Sequence, residues 1–234
     1  IGKNYADDFE ERGHTVVRYS LEESYVANKA AISTCDVVFI AVPTPTTNKG
    51  SDVRIVEEAV ALTRQGAVVV IKSTILPGAT RRLAEKFPKH FLLHSPEFLS
   101  KSTAAHDARN PKRNIVGMAI ADDVHKEKAE LVLSLLPQAP FSLICTAAES
   151  EFLKYVNNTF FYSKIVYMNL LYDLSQKLGL DWSALRDAIA AEPWIGDMHI
   201  DPVHRSGRGA GGVCLIKDFA AFAQQYREMH PEDE

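Results

Sequence analysis

The segment GRGAGGVCLIKD, residues 207–218, sets a cysteine directly after a run of glycines and three residues ahead of a Lys-Asp pair. Glycines let a backbone come close to a ligand, and a thiol beside an ammonium is a setting in which a reactive thiolate is held. Cys214 is therefore a candidate nucleophile, with Lys217 and Asp218 beside it. For a lone cysteine, inert packing beside a loop is the stronger alternative, so other segments must decide. Lys154 and Asn158, four residues apart in a stretch without Pro or Gly, share one helix face. An ammonium and an amide aimed at one point could stabilise an oxyanion. Three strand ends add polar groups: Val42-Pro43-Thr44-Pro45, Ser73-Thr74 in KSTILPG, and Glu97 in SPEF.

The elements that would position these residues follow from periodicity. Helix-like and strand-like runs alternate over the first 146 residues: a helix closed by Gly13, a strand at Thr15–Ser20, a helix in ESYVANKAA, then buried strands at CDVVFIAV and AVVVIKST. HFLLHSPEF, NIVGMAI and PFSLICT continue the pattern. Such alternation predicts an α/β, Rossmann-like doubly wound parallel sheet, whose ligands bind at the carboxyl ends of the strands. From residue 147 the pattern becomes all helical. One stretch, residues 149–178, is long enough to be a central helix, and its apolar residues cover more than one stripe, as burial on two sides requires. The expected domains are 1–146, a Rossmann-like α/β sheet, and 147–234, helical and carrying the cysteine loop.

Composition excludes several classes. With 26 basic and 30 acidic residues and a net charge of −4, the chain has no basic excess for nucleic acid. No apolar run is long enough for a bilayer. Three cysteines, far apart and odd in number, fit a reducing cytoplasm better than a disulfide framework, and the histidines show no metal-ligand spacing, so no metal is expected. The dinucleotide signal itself is weak. The fingerprint strand and G-x-G-x-x-G are represented only by Gly2, read as the third glycine of a loop whose first strand and first two glycines are missing. Ser20, not an acid, ends the next strand, which leaves NAD and NADP both open.

Taken in order, AVPTP, KSTILPG, SPEFL, EFLKYVNN and GAGGVCLIKD resemble the UDP-glucose/GDP-mannose dehydrogenase family, over nearly the whole chain. The resemblance implies an NAD-dependent nucleotide-sugar 6-dehydrogenase that oxidises a sugar primary alcohol twice, to the uronic acid, through a cysteine thiohemiacetal and thioester. It implies Cys214 as nucleophile, with Lys154, Asn158, Asp218, Glu97 and Thr74 as further catalytic groups. Gly2, Val42, Pro43, Thr44, Pro45, Ser73, Thr74 and Lys217 would lie on the NAD side. Glu97, Phe98, Leu99, Lys154, Asn158, Gly209, Gly211 and Gly212 would lie on the sugar side. A homodimer through helix 149–178 is implied as well. The family's third, nucleotide-binding domain is expected to be absent. Val213, Leu215 and Ile216 depart from the usual motif around the cysteine, and Ser100-Lys101-Ser102 from a usual glycine-containing turn. A 3-hydroxyacid dehydrogenase of the same plan, which needs neither the thiol nor Glu97, and a non-catalytic dimerising remnant are the competing readings.

Overall fold

A computed structural model describes residues 1–47, 50–100, 102–204, 207–210 and 213–233. The chain opens on helix α1 (Gly2–Glu11), which stops as predicted at Gly13, where φ of +85° suits a residue without Cβ. A 3₁₀ run, Val26–Thr34, stands where an α-helix was expected. Strand β1 (Val37–Ile40) follows, then the short hairpin β2 (Thr46–Thr47) and β3 (Gly50–Ser51). Next come α2 (Arg54–Ala61), β4 (Val68–Ile71), α3 (Ala79–Lys86), β5 (Phe91–His94) and α4 (Ala104–Arg109). β6 (Arg113–Met118), α5 (Asp123–Leu135) and β7 (Phe141–Thr146) lead into α6 (Ala147–Lys177), the long helix. After it stand α7 (Trp182–Ala191), the pair β8 (Val203–His204) and β9 (Gly207–Arg208), and α8 (Val213–Met229).

The chain divides into two compact units, Ile1–Lys154 and Tyr155–Glu234. In the first, five strands form one sheet in the order β1-β4-β5-β6-β7. All pairings are parallel except β5 with β6, which is antiparallel and joins only Leu93 to Met118 and His94 to Gly117. The sheet is thus parallel-dominant and mixed, not wholly parallel. β4 shows why it is covered on both faces: Val69 and Ile71 join a core with Val56, Val60 and Leu83, while Val68 and Val70 join another with Tyr5, Phe9 and Val132. Alternate side chains of a strand point to opposite faces, and an all-apolar strand therefore feeds two cores.

The expected strand at Thr15–Ser20 is not formed. A β-branched run becomes a strand only if a neighbour offers a ladder, and this segment is instead tied to α1 by side chains. Arg18 donates to Asp7 at 2.7 Å and to Glu10 at 2.5 and 3.0 Å, and Val16 packs on the Tyr5–Phe9 core.

In the second unit, aromatic contacts tie the later turns of α6 to α8: Tyr162 stacks on Phe219 with centroids 4.3 Å apart, and Tyr155 on Phe222 at 6.1 Å. α7 is capped by Asp181, whose carboxylate accepts from the Ser183 amide at 2.8 Å. Among the described residues, no helix is long and apolar enough to cross a membrane, and no cluster of metal-ligating side chains occurs.

Candidate active site

In the first unit the candidate residues gather at the carboxyl ends of β1, β4 and β5. The Ser73 hydroxyl donates to the Val42 carbonyl at 2.8 Å and accepts from the Val42 amide at 2.9 Å, which fixes the start of the Pro43–Pro45 loop. Thr44 is buried and donates to the Thr74 carbonyl at 2.6 Å, while Pro43 and Pro45 are exposed. Thr74, Phe98 and Leu99 are half-buried. Glu97 is held from two sides. Lys154 Nζ donates to its Oε1 at 3.0 Å and to its backbone carbonyl at 2.7 Å, and the Leu99 amide donates to Oε2 at 2.7 Å. Phe98 adds a ring between two cations, with the Arg113 guanidinium 3.8 Å and Lys154 Nζ 5.7 Å from its centroid.

The second unit brings a different set together. α8 begins at Val213, so Cys214, Lys217 and Asp218 occupy its first turns and not a loop, as had been expected; their spacing of three and four puts them on one helix face. Cys214 is exposed and Asp218 buried. Asp218 Oδ2 accepts from Asn158 Nδ2 at 2.6 Å and Oδ1 pairs with Lys217 Nζ at 2.7 Å. A carboxylate between an amide and an ammonium fixes the Asn158 side chain with its carbonyl oxygen turned away from Asp218. Gly209 takes φ of +87°, a conformation that suits glycine. Gly211 and Gly212 lie outside the described residues.

Gly2 is the first residue of α1, which has no side-chain cap and no acid in its first turn. Uncapped amides at a helix start without a competing carboxylate are the donor set a diphosphate takes, so the residues present fit the NAD phosphates. At Ser20 the hydroxyl accepts from the Glu22 amide at 3.2 Å, a local turn contact.

Sequence reasoning missed a layer beneath this site. Glu151, one turn before Lys154 and fully buried, accepts from the Gly78 amide at 2.5 Å, the Thr80 amide at 2.7 Å and the Thr80 hydroxyl at 2.6 Å. Burial pushes its carboxyl pKa up, against the pull of the Thr80 and Gly78 hydrogen bonds. Ser150 bonds His94 Nδ1 at 2.8 Å and donates to the His94 carbonyl at 3.1 Å. These two residues clamp the start of α6 onto α3 and β5, and so register Lys154 against Glu97. Nothing in the sequence singles these two out, because the start of α6, AAESEFLK, carries Glu149 and Lys154 as well. Glu151→Ala strands the buried donors of Gly78 and Thr80 and is expected to lower the unfolding free energy by about 3 kcal/mol, Glu151→Gln by about half of that, as read by urea denaturation.

Residues 9–133 match the model of the UDP-glucose/GDP-mannose dehydrogenase family, NAD binding domain, and residues 148–233 match that family's central domain. The chain is similar to UDP-glucose 6-dehydrogenase of Pseudomonas aeruginosa, 32% identical over 213 residues, with 85% of this chain and 46% of that one covered. Among solved structures, UDP-glucose dehydrogenase from Pyrobaculum islandicum superposes with a TM-score of 0.81 at 26% identity, covering 97% of this chain and 62% of that one. Mycobacterium tuberculosis 3-hydroxyisobutyrate dehydrogenase shares the fold, with a TM-score of 0.73 at 18% identity over 98% of this chain and 84% of its own. The chain spans about half the length of the curated relatives it matches, 49%, 42% and 44% in three of them. With both family models matched in order over most of its residues, the chain belongs to the UDP-glucose/GDP-mannose dehydrogenase family.

Proposed function

We propose that the chain carries the cofactor and reaction portions of an NAD-dependent nucleotide-sugar 6-dehydrogenase. Its substrate is a nucleotide sugar such as UDP-glucose, whose primary alcohol is oxidised in two steps to the uronic acid. The observation that carries this reading is the cluster on α8. An exposed Cys214 stands on the same face as a buried Asp218 that holds Asn158 and Lys217. NAD⁺, when bound, supplies the hydride acceptor for each oxidation.

The chain's own residues do the rest. The Cys214 sulfur adds to the aldehyde carbon, giving a thiohemiacetal; its oxidation leaves a thioester, and water releases the acid and returns the thiol. Per sugar, two hydrides leave and one water is consumed. Lys154 and Asn158 donate to the developing oxygen anion. Glu97 orients or deprotonates the attacking water, directly or through Thr74, and Asp218 keeps Asn158 aimed. Phe98, Leu99 and the glycines 209, 211 and 212 shape the sugar side. Gly2, the 42–45 loop, Ser73 and Lys217 serve the cofactor. NAD is favoured over NADP by the family of the amino-terminal match, not by Ser20.

The same reading makes the protein a cytoplasmic homodimer joined through residues 149–178. Phe160, Leu170 and Leu174 leave more than half of their surface exposed on α6. A groove between α6 and α8, about 520 Å³ and lined by Val156, Phe160, Phe219, Phe222 and Tyr226, is apolar enough to receive a second copy.

The test is a stoichiometry. With UDP-glucose or another nucleotide sugar, two NADH form per sugar consumed, and Cys214→Ala lowers turnover by about 10³-fold or more. One NADH per hydroxyacid, insensitive to that change, would favour the 3-hydroxyacid reading. No turnover from a stable dimer would favour the non-catalytic remnant. Full four-electron activity in Cys214→Ser would sink the covalent mechanism.

A further inference from the structure

His94 ends β5 with its side chain wholly buried, and each of its ring nitrogens meets a polar group from another element. Nδ1 lies 2.8 Å from the Ser150 hydroxyl on α6, and Nε2 lies 3.3 Å from the Ser73 carbonyl, just past β4. Burial drives the imidazole pKa down to about 3, against the pull of the Ser73 bond. The ring is therefore neutral at working pH and carries one proton, with two possible seats. A carbonyl only accepts, so the Ser73 contact needs that proton on Nε2. A hydroxyl gives or takes, so Ser150 fits either form.

The destination of the Ser150 proton decides between them. Ser150 Oγ also lies 3.1 Å from the His94 carbonyl. The Ala119 amide bonds the Leu92 carbonyl at 3.2 Å, and two residues along the same alternation His94 stands opposite Gly117 in the β5–β6 pairing. The ladder thus serves the His94 carbonyl and leaves the Ser150 proton for Nδ1. With the ring proton on Nδ1 instead, a bare nitrogen would face the Ser73 carbonyl oxygen in a buried setting, two acceptors without a donor.

We propose that His94 is a positioning residue: held as the Nε2–H tautomer, it bridges the Ser73 carbonyl to the Ser150 hydroxyl and sets the cofactor and reaction sides of the site in one register. On the first side, the Ser73 hydroxyl is bonded twice to Val42, at 2.8 and 2.9 Å, where the 42–45 loop begins. On the second, Ser150 lies one helical turn before Lys154, on the same face of α6. The Lys154 ammonium returns to Glu97, three residues after His94, at 2.7 and 3.0 Å. The contacts close a circuit from His94 through Ser150, Lys154 and Glu97, with Ser73 and its loop attached at the imidazole. The inference rests on reading the 42–45 loop as the cofactor side and Lys154 as a group of the reaction.

The first experiment needs neither turnover nor ligand. ¹⁵N NMR of histidine-labelled wild type reports which ring nitrogen carries hydrogen. The His94 signals are assigned by their loss in His94→Gln or, should that variant not fold, by their shift in Ser150→Ala. The expected result is a protonated Nε2 and a bare Nδ1. A protonated Nδ1 overturns the bridge.

The second experiment breaks one half of the bridge at a time. His94→Gln sets an amide NH₂ near the Nε2 position and keeps the Ser73 bond. His94→Asn sets an amide oxygen near the Nδ1 position and keeps the Ser150 bond. NADH affinity, read by fluorescence titration, should fall about 5- to 10-fold in His94→Asn, the cost of one hydrogen bond. It should stay within about twofold of wild type in His94→Gln and Ser150→Ala. In turnover, kcat should fall by about 5- to 10-fold in both of these, with no further loss when they are combined. Parallel losses of affinity and kcat in all three variants would make His94 a packing residue only and overturn the proposal. Should His94→Asn fail to fold, His94→Gln and Ser150→Ala must still separate kcat from NADH affinity. No turnover in wild type would strike the nucleotide-sugar reading and leave the tautomer and the NADH titration to decide the bridge.

Discussion

Lys154→Met is expected to lower kcat by about 10²- to 10³-fold, the usual cost of removing one donor aimed at a developing oxygen anion. The same change destabilises the fold. Lys154 and Glu97 are 8% and 12% exposed at their side chains, and removing the ammonium leaves the Glu97 carboxylate with only the Leu99 amide. Breaking a buried pair from one side costs about 3 kcal/mol, because the remaining charge stays desolvated. The double variant Lys154→Met, Glu97→Gln should therefore lose much less stability than the sum of the single changes, by about 2 kcal/mol or more. Its kcat should stay at the level of the worse single variant. Denaturation midpoints and kcat across this four-membered cycle check both statements. Strict additivity in stability would show that the two side chains do not form a working pair.

Gly117→Ala is the second large effect, and it is steric. A Cβ at this position would stand 2.6 Å from Ser150 Cβ, 2.7 Å from Ala147 Cα and 2.8 Å from the Thr146 carbonyl oxygen. Two of the three obstacles are backbone, so no rotamer change relieves them. The alternatives are to push β6 from the start of α6 or to lose the Ser150–His94 bonds, and overpacking of this kind costs about 3 kcal/mol. A lower thermal midpoint and a fall in kcat together are expected, since α6 carries Lys154. Adding Ser150→Gly should not rescue the variant, because it removes only one of the three contacts.

The layered α/β order was legible because long apolar runs alternating with amphipathic ones have few other solutions, and the motif residues at the ends of β1, β4 and β5 fell where that architecture puts ligands. Three features were not legible, each for a physical reason. Thr15–Ser20 has strand-forming residues, but propensity does not supply a ladder partner. The antiparallel pairing of β5 with β6 leaves no mark on composition, since both strands are buried on two faces either way. Glu151, Ser150 and His94 looked like ordinary polar residues, because their importance comes from partners distant in the chain, such as Gly78 and Thr80 for Glu151. The glycines before Cys214 point to a loop, while the helical spacing of Leu215, Ile216 and Phe219 after it carries the cysteine into α8.

The two-residue antiparallel contact between β5 and β6 gives the first unit the character of two planks joined by a short dowel. β1, β4 and β5 form one plank, and β6 and β7 the other, six residue pairs long on its own side. Glu97 departs from the first plank, and Lys154 arrives on the helix that leaves the second. Their ion pair therefore works as a strain gauge across the dowel. Shear between the planks therefore loads that pair together with the core that Val70, Leu93 and Val116 share.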